Sequence, residues 1–210
     1  SRALNDRQLI KNIKSAMNTL VSKRKAIFTD ETETEQLRTL GNALKQKALR
    51  RLPQLLEQLE EKCTANGIQV HWAETISEAN HQVLDIMRSH GATRLVKGKS
   101  MVSEEMELNA FLQKNGIEAL ETDLGEFIIQ LNNETPAHII VPAIHKNKDQ
   151  ISKIFHENIP NTPYTEDVAE LTAIARKTLR KKFYEAEVGL SGVNFAVAET
   201  GTLCLVENDG

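Results

Sequence analysis

The residues best suited to chemistry form the segment Lys97-Gly98-Lys99-Ser100, which lies between a predicted strand and a predicted helix. Ligands of open parallel sheets bind beyond the carboxyl ends of the strands, where helix N-termini add unpaired N–H groups and partial positive charge. Two lysines, a glycine and a hydroxyl at such a place predict a site for a carboxylate or a phosphate. The alternative is a solvated basic turn in which Ser103 caps the next helix and the carboxylates of Glu104 and Glu105 interact favourably with the helix dipole. The first glycine and the spacing of a P-loop are both missing.

A second, glycine-rich segment leads into a predicted strand and continues beyond its end. Its candidate ligand contacts are Gly189, Ser191, Gly192, Asn194, Glu199, Thr200 and Gly201. The glycines allow positive φ and close approach of the backbone to a ligand, and the carboxylate at the strand end can meet a substrate. The alternative, which the residues alone favour slightly, is a flexible helix-to-strand loop followed by a tight turn.

Three further side chains are candidates for proton transfer or ligand contact. His145 follows an apolar predicted strand, at a place suited to either role near neutral pH. Asp123 and Glu126 are three residues apart, so they either share one face of a helix or form its N-terminal cap, and we favour the cap. The histidines show no spacing typical of metal ligands, so we predict no metal site.

The composition excludes several classes of function. The 210 residues contain 26 Lys and Arg against 29 Asp and Glu, a net charge of −3 that gives no drive toward nucleic acid or anionic membranes. Two cysteines, Cys63 and Cys204, are too few for a disulfide framework, a cysteine zinc site or an iron–sulfur cluster. No apolar run approaches the roughly 20 residues of a transmembrane helix, and no signal-peptide pattern appears. We therefore expect a cytoplasmic setting.

The hydrophobic pattern predicts an α/β protein with a mostly parallel sheet flanked by helices and a helical N-terminal extension. We divide the chain into a helical arm, residues 1–66, and an α/β domain, residues 67–210. The arm carries an apolar stripe that should pack as a separate layer or face a partner. The predicted helices are 6–27, about 33–66 with a kink at Pro53, 77–90, 103–115, 124–131, 148–156 and 165–186. Asp6 and Ser77 are the expected N-caps of the first and third of these helices, and Gly67 is the expected stop of the second. The predicted strands are 68–72, 93–96, 117–120, 138–141, 193–198 and 202–206, the last two buried and antiparallel.

Four motifs in order resemble the lactate utilisation protein B family of bacteria, whose members carry an LUD domain. They are VKGKSM at 96–101, ETDLGEFIIQL at 121–131, PAHIIVPAIHK at 136–146 and GLSGVNFAVAETGT at 189–202. The helical N-terminus fits as well, so the resemblance covers nearly the whole chain. It implies a fold similar to that of ribose-5-phosphate isomerase, glucosamine-6-phosphate deaminase and the coenzyme A transferases.

The resemblance also implies a role. Family members act with two partner subunits in the oxidation of L-lactate to pyruvate, and they carry a C-terminal ferredoxin-like region whose cysteine motifs hold [4Fe–4S] clusters. This sequence stops at Gly210, directly after a predicted strand and before any such motif. We therefore expect a piece of a longer protein, truncated on the C-terminal side of its LUD domain, with the clusters elsewhere and no cofactor in these residues. No catalytic residue is carried over from the family.

Three functions remain open. The first is a fragment of an electron-transfer subunit for lactate oxidation, whose domain binds an anionic small molecule or partner subunits. The second is a stand-alone isomerase-like or transferase-like enzyme acting on a sugar phosphate or an acyl thioester. The third is a structural docking domain. The natural ligand, the oligomeric state and the strand order are left open by the sequence.

Overall fold

The computed structural model describes residues 5–138 and 141–206. The chain forms two compact units. The first contains the residues up to Ile13 together with Trp72–Gly192, and the second contains Lys14–His71 and Val193–Val206. The division into an arm at 1–66 and a domain at 67–210 remains a prediction.

Nine helices and five strands are present in the described residues. The helices are α1 (Arg7–Ile27), α2 (Glu31–Arg50), α3 (Leu52–Ala65), α4 (Ile76–Ser89), α5 (Met101–Glu105), α6 (Leu108–Lys114), α7 (Leu124–Leu131), α8 (Lys148–Asn158) and α9 (Val168–Glu185). The strands are β1 (Arg94–Lys97), β2 (Glu118–Glu121), β3 (Val188–Leu190), β4 (Phe195–Val197) and β5 (Thr202–Cys204). In this part of the chain, no helix combines the length and the apolar character needed to cross a bilayer.

The first unit is built on a parallel sheet of three strands in the order β2-β1-β3. Ala119 and Leu120 are neighbours on β2 and therefore point to opposite faces of the sheet. Ala119 packs in a core with Leu95 of β1 and apolar residues of α4 and α6. Leu120 contacts a second core, formed by α7, α8 and α9. Helices thus cover both faces, which confirms the predicted α/β class.

Local signals set most helix ends where the sequence predicted them. The carboxylate of Asp6 accepts from the backbone N–H of Leu9 at the start of α1, as an N-cap does. Gly67, with a φ of 83°, ends α3. Pro53 lies in the first turn of α3, where it is tolerated, and the long predicted helix breaks just before it, at Arg51.

Several predicted boundaries were wrong. Residues 68–72 form no strand, because the N–H of Ile68 bonds back to Cys63 O and closes the end of α3. Thr75, rather than Ser77, caps α4. The predicted helix 103–115 is two helices, since Glu107 adopts a left-handed φ of 50° between them. In the predicted strand 138–141, Ile139 and Ile140 lie outside the described residues, and the two flanking residues are not in a strand.

The strand β3 was not predicted. Its residues follow the predicted helix 165–186 and run into the segment interpreted as a flexible loop, yet Gly189 lies within the strand and pairs with Val96 of β1. Glu187 anchors this strand, because its carboxylate accepts from the backbone N–H groups of Thr93 and Arg94 at 2.7 and 2.8 Å. These bonds and the Arg94 guanidinium lower the pKa of Glu187 to about 2.

The second unit contains the ribbon β4–β5, which is antiparallel as predicted. Both strands were expected to be buried, and this was wrong: Phe195 is 67% exposed. The turn between the strands packs on the end of α3. Asn66 donates to Thr200 O at 2.9 Å, and a Cβ at Gly201 would lie only 2.7 Å from the carbonyl carbon of Lys62.

Candidate functional site

The parallel register brings a lysine and a glutamate together at the carboxyl edge of the sheet. Lys97 is the last residue of β1, Glu121 is the last residue of β2, and the two are register partners. Both side chains are buried, and the Lys97 Nζ lies 2.7 Å from Glu121 Oε1. This is the edge at which α/β sheets bind ligands.

The ammonium of Lys97 has no free donor. It bonds Glu104 Oε1 at 2.7 Å and Ser103 Oγ at 2.9 Å in addition to Glu121, and an ammonium carries three N–H groups. Burial disfavours the charged form, but the hydrogen bonds to the two glutamates outweigh it and raise the pKa of Lys97. Lys97 is therefore a structural cation whose donors are already used within the protein.

Glu126 completes the buried cluster and holds a proton at neutral pH. Burial, followed by a hydrogen bond to Glu121 and the charges of Glu121 and Asp123, raises the pKa of Glu126 to about 8. One oxygen of each carboxylate, Glu121 Oε2 and Glu126 Oε2, is buried without a donor in the described part of the chain. A proton on Glu126 lets the two carboxyl groups form a hydrogen bond with each other.

The remaining residues of the first predicted segment lie beside this cluster. The Lys99 Nζ lies 3.0 Å from Asp123 Oδ2, and the Lys99 side chain is 16% exposed. Ser100 caps α5, so the predicted Ser103 cap was wrong. Asp123 caps α7 by accepting from Glu126 N at 2.9 Å, which confirms the capping interpretation.

The glycine-rich loop after β3 returns to the same segment. Gly98 N donates to Leu190 O at 2.8 Å. A Cβ at Gly98 would lie 3.5 Å from Ser191 Oγ, and one at Gly192 would lie 3.4 Å from Lys99 O. The structure thus brings together two segments that the sequence identified separately.

His145 belongs to a different group of charges. Its Nε2 lies 3.0 Å from Glu134 Oε2, and Lys146 Nζ lies 2.5 Å from the other oxygen of that carboxylate. Burial raises the pKa of Glu134, but hydrogen bonds from Lys146, His145 and Asn132 outweigh it and lower the pKa. The Nδ1 of His145 is buried without a hydrogen-bond partner in residues 5–138 and 141–206.

The other predicted contacts lie in the second unit. Asn194 Oδ1 accepts from the N–H of Val206 at 2.8 Å and holds the ribbon β4–β5 together. Glu199 is exposed, Thr200 Oγ1 bonds Thr202 Oγ1 at 2.7 Å, and Gly201 makes the positive-φ turn. These contacts are those of a tight turn, the alternative that the residues slightly favoured.

The side chains that could act as ligands can be compared with what a metal ion or an iron–sulfur cluster requires. Glu104, Glu121 and Glu126 each offer an oxygen within 4.8 Å of the others, but the Lys97 ammonium already lies among these carboxylates as their cation. The absence of a metal remains a prediction. A [4Fe–4S] cluster takes four thiolates, and a chain with two cysteines does not fit it.

Sequence reasoning missed Glu104 and Glu121 as site residues. Glu104 was interpreted as a carboxylate that interacts favourably with the helix dipole, and Glu121 was interpreted only as the residue that follows a strand. The signal was available for Glu121: parallel strands that end at Val96 and Leu120 place the next residues, Lys97 and Glu121, side by side. Asn109 was missed too, and its Nδ2 donates to Glu121 Oε1 at 2.5 Å.

The arrangement can hold and transfer a proton at the sheet edge. A neutral carboxylic acid at pH 7 is a hydrogen-bond donor, and a pKa near the working pH suits general acid–base chemistry. Beside it, Lys99 offers a partly exposed cation. A ligand with a carboxylate or phosphate and a nearby hydroxyl or carbonyl oxygen matches this pair of groups.

The comparisons with known proteins agree with the motifs. Residues 56–210 match the LUD domain. The chain is similar to proteins named Lactate utilization protein B from Bacillus cereus and Bacillus thuringiensis, each 42% identical over 198 residues. These alignments cover 94% of this chain but only 42% of each relative, so the chain spans less than half the length of the curated relatives it matches. No solved structure matches. The chain belongs to the LUD-domain family.

Proposed function

We propose that this chain is the LUD portion of an electron-transfer subunit that takes part in bacterial oxidation of L-lactate to pyruvate. The observation that carries the proposal is the 42% identity to proteins named Lactate utilization protein B over 94% of this chain. The subunit works with two other lactate utilisation subunits. Its [4Fe–4S] clusters are held by cysteines outside these 210 residues, because this chain supplies only two thiols.

Within that role, the sheet edge binds an anionic small molecule. Lys99 is the cation for the anion, because its side chain is 16% exposed whereas that of Lys97 is 0% exposed. Lys97 holds the glutamates in place. Glu126 gives its proton to an oxygen of the ligand, which breaks its hydrogen bond to Glu121, or, once ionised, accepts a proton from the ligand. Without a ligand, the Lys99 ammonium forms an ion pair with Asp123, so the anion competes with the Asp123 carboxylate for Lys99.

The second candidate is an isomerase-like or transferase-like enzyme acting on a sugar phosphate or an acyl thioester. The observation that favours it is Glu126, because a buried carboxyl group with a pKa near 8 is a common feature of acid–base catalysts. This candidate uses the same edge of the sheet and differs from the first in the ligand and in its independence from electron acceptors.

The experiment uses the longer protein with its partner subunits. L-lactate-dependent reduction of an artificial electron acceptor is measured with wild-type protein, with Lys99→Gln and with Lys153→Gln. Lys153 is the matched control, since it pairs with Asp149 on the exposed face of α8. We expect Lys99→Gln to lower the rate at least about tenfold, as the loss of a charge-assisted contact does, and Lys153→Gln to leave it unchanged. Lactate-independent turnover of a sugar phosphate or acyl thioester would favour the second candidate instead.

A further inference from the structure

Helix α2 presents an apolar face that the described residues of the chain leave open. Leu37, Leu40 and Leu44 are 54%, 56% and 59% exposed, and no residue of the 20-residue helix is buried. In proteins, most of the stability of a helix comes from the packing of its apolar face rather than from helix propensity. A surface that covers these leucines would therefore stabilise the helix as well as remove apolar area from water.

The leucines belong to a regular seam. Counting along the chain, the positions recur at alternating spacings of four and three residues, which is the a/d pattern of a helix that packs against another helix. The seam consists of Glu33, Leu37, Leu40, Leu44 and Lys47 of α2 and of Arg51, the residue that caps the C-terminus of this helix. It is acidic at its first position, apolar in the middle and basic at its last two positions.

This seam is complementary to itself when it is reversed. Two antiparallel copies related by a two-fold axis near residue 42 place Leu40 opposite Leu44, and Glu33 opposite Arg51. Leu37 then lies opposite Lys47, whose aliphatic stem can cover it while its ammonium reaches water. A parallel pair would instead place each glutamate, lysine and arginine of the seam opposite its own copy, which repels.

We propose that two copies of this chain associate through their α2 helices, packed antiparallel along this seam. The interface is isologous, as a two-fold dimer requires, because each residue meets its complement in the second copy. The occupant is a second copy rather than an unrelated partner, since the charge order of the seam matches its own reverse.

The first test is the mass of the 210-residue chain in solution, measured by light scattering after size exclusion. At about 100 μM, well above the dissociation constant of a modest interface, we expect twice the 23.5 kDa of one chain. The double variant Leu40→Asp/Leu44→Asp should be monomeric, with a dissociation constant raised at least about 100-fold. Leu49→Asp is the matched control. Leu49 is 57% exposed and lies on the opposite side of α2 from Leu40, so this variant should remain dimeric.

The second test examines which residues of the two helices lie opposite each other, and it uses only substitutions of charged residues. Glu33→Arg and Arg51→Glu should each weaken the dimer about tenfold, because each places like charges together. The double variant Glu33→Arg/Arg51→Glu restores opposite charges at both ends and should dimerise like the wild type. A monomeric wild type, a dimer that survives both aspartates, or a double variant no better than the single ones would each overturn the proposal.

Discussion

The Lys97 ammonium lies 2.7 Å from the Glu121 carboxylate, and both groups are buried at the ends of neighbouring parallel strands. This pair determines what the site can do. The three N–H groups of the Lys97 ammonium are already bonded to Ser103, Glu104 and Glu121. An anionic ligand would therefore bind Lys99 instead. Because Glu126 is buried and lies beside Glu121, its pKa is raised and it keeps a proton.

Replacing Lys97 should destabilise the protein strongly. Lys97→Met leaves the carboxylates of Glu104 and Glu121 buried without their cation, and breaking a buried pair in this way costs about 3–5 kcal/mol. The control Lys153→Met removes an exposed ion pair and should cost less than about 1 kcal/mol. Urea unfolding measures both free energies. A cost below about 1 kcal/mol for Lys97→Met would show that the buried cluster does not depend on its ammonium.

The stability of the protein should fall as the pH rises from about 4.5 to about 8. The pKa of Glu126 is raised from 4.5 to about 8 in the folded protein, so in this window the folded state holds a proton that the unfolded state has lost. The stabilisation that comes from the proton on Glu126 is fully present below pH 4.5 and is lost as the pH rises through the folded-state pKa of about 8. For one such group the slope is on the order of 1 kcal/mol per pH unit.

The variant Glu126→Gln isolates this contribution, because its amide donates a hydrogen bond at every pH. Urea unfolding between pH 5 and pH 8, the window set by the Glu126 pKa, should show a flatter profile for Glu126→Gln than for the wild type. Glu105→Gln, at an exposed residue of the same region, should keep the wild-type slope. Equal slopes for Glu126→Gln and the wild type would mean that Glu126 is ionised in the folded protein.

Gly201 should tolerate no side chain. Its φ is 70°, and a Cβ would lie 2.7 Å and 2.8 Å from backbone atoms of Lys62 and Cys63. Gly67→Ala separates the two effects, since Gly67 also has a positive φ, 83°, but open space around its Cβ position. We expect about 1 kcal/mol for Gly67→Ala and about 3 kcal/mol for Gly201→Ala, measured by thermal unfolding. Equal losses would refute the close packing of this turn on α3.

The sequence predicted those features that depend on neighbouring residues. Asp6 and Asp123 are caps because a side chain two or three positions before the free N–H groups can reach them. Gly67 stops α3 because its backbone accepts a positive φ. Pairing of residues 195–197 with 202–204 follows from a short link between two apolar runs.

Features that depend on distant residues could not be predicted in this way. A lysine after a strand is expected to reach water, and only the carboxylates from α5 and β2 make the burial of Lys97 favourable. The strand β3 has three residues and a central glycine, so neither its length nor its pattern separates it from a loop. Its pairing with β1 decides its structure.

The purified 210-residue chain should contain no iron–sulfur cluster. Two thiols cannot replace the four that a [4Fe–4S] cluster takes. Anaerobic purification followed by iron and sulfide analysis checks this, and the longer subunit that we propose above, purified in parallel, should contain both elements. Stoichiometric iron and sulfide in the short chain would contradict the assignment of the clusters to cysteines elsewhere.

Anion binding by the purified chain tests the central claim most directly. Thermal unfolding is measured with sodium L-lactate, ribose 5-phosphate and acetyl coenzyme A, which represent the three ligand classes, on wild type, Lys99→Gln and Lys153→Gln. The account predicts that L-lactate raises the wild-type unfolding temperature, that Lys99→Gln abolishes the rise, and that Lys153→Gln keeps it. If only ribose 5-phosphate or acetyl coenzyme A raised the unfolding temperature, that compound would represent the ligand class instead of lactate, and the site assignment would stand. Each ligand is used at about 1 mM, which is about 1,000 times a micromolar Kd. The account would be contradicted if none of the three ligands raised the unfolding temperature, or if Lys99→Gln showed the same rise as the wild type.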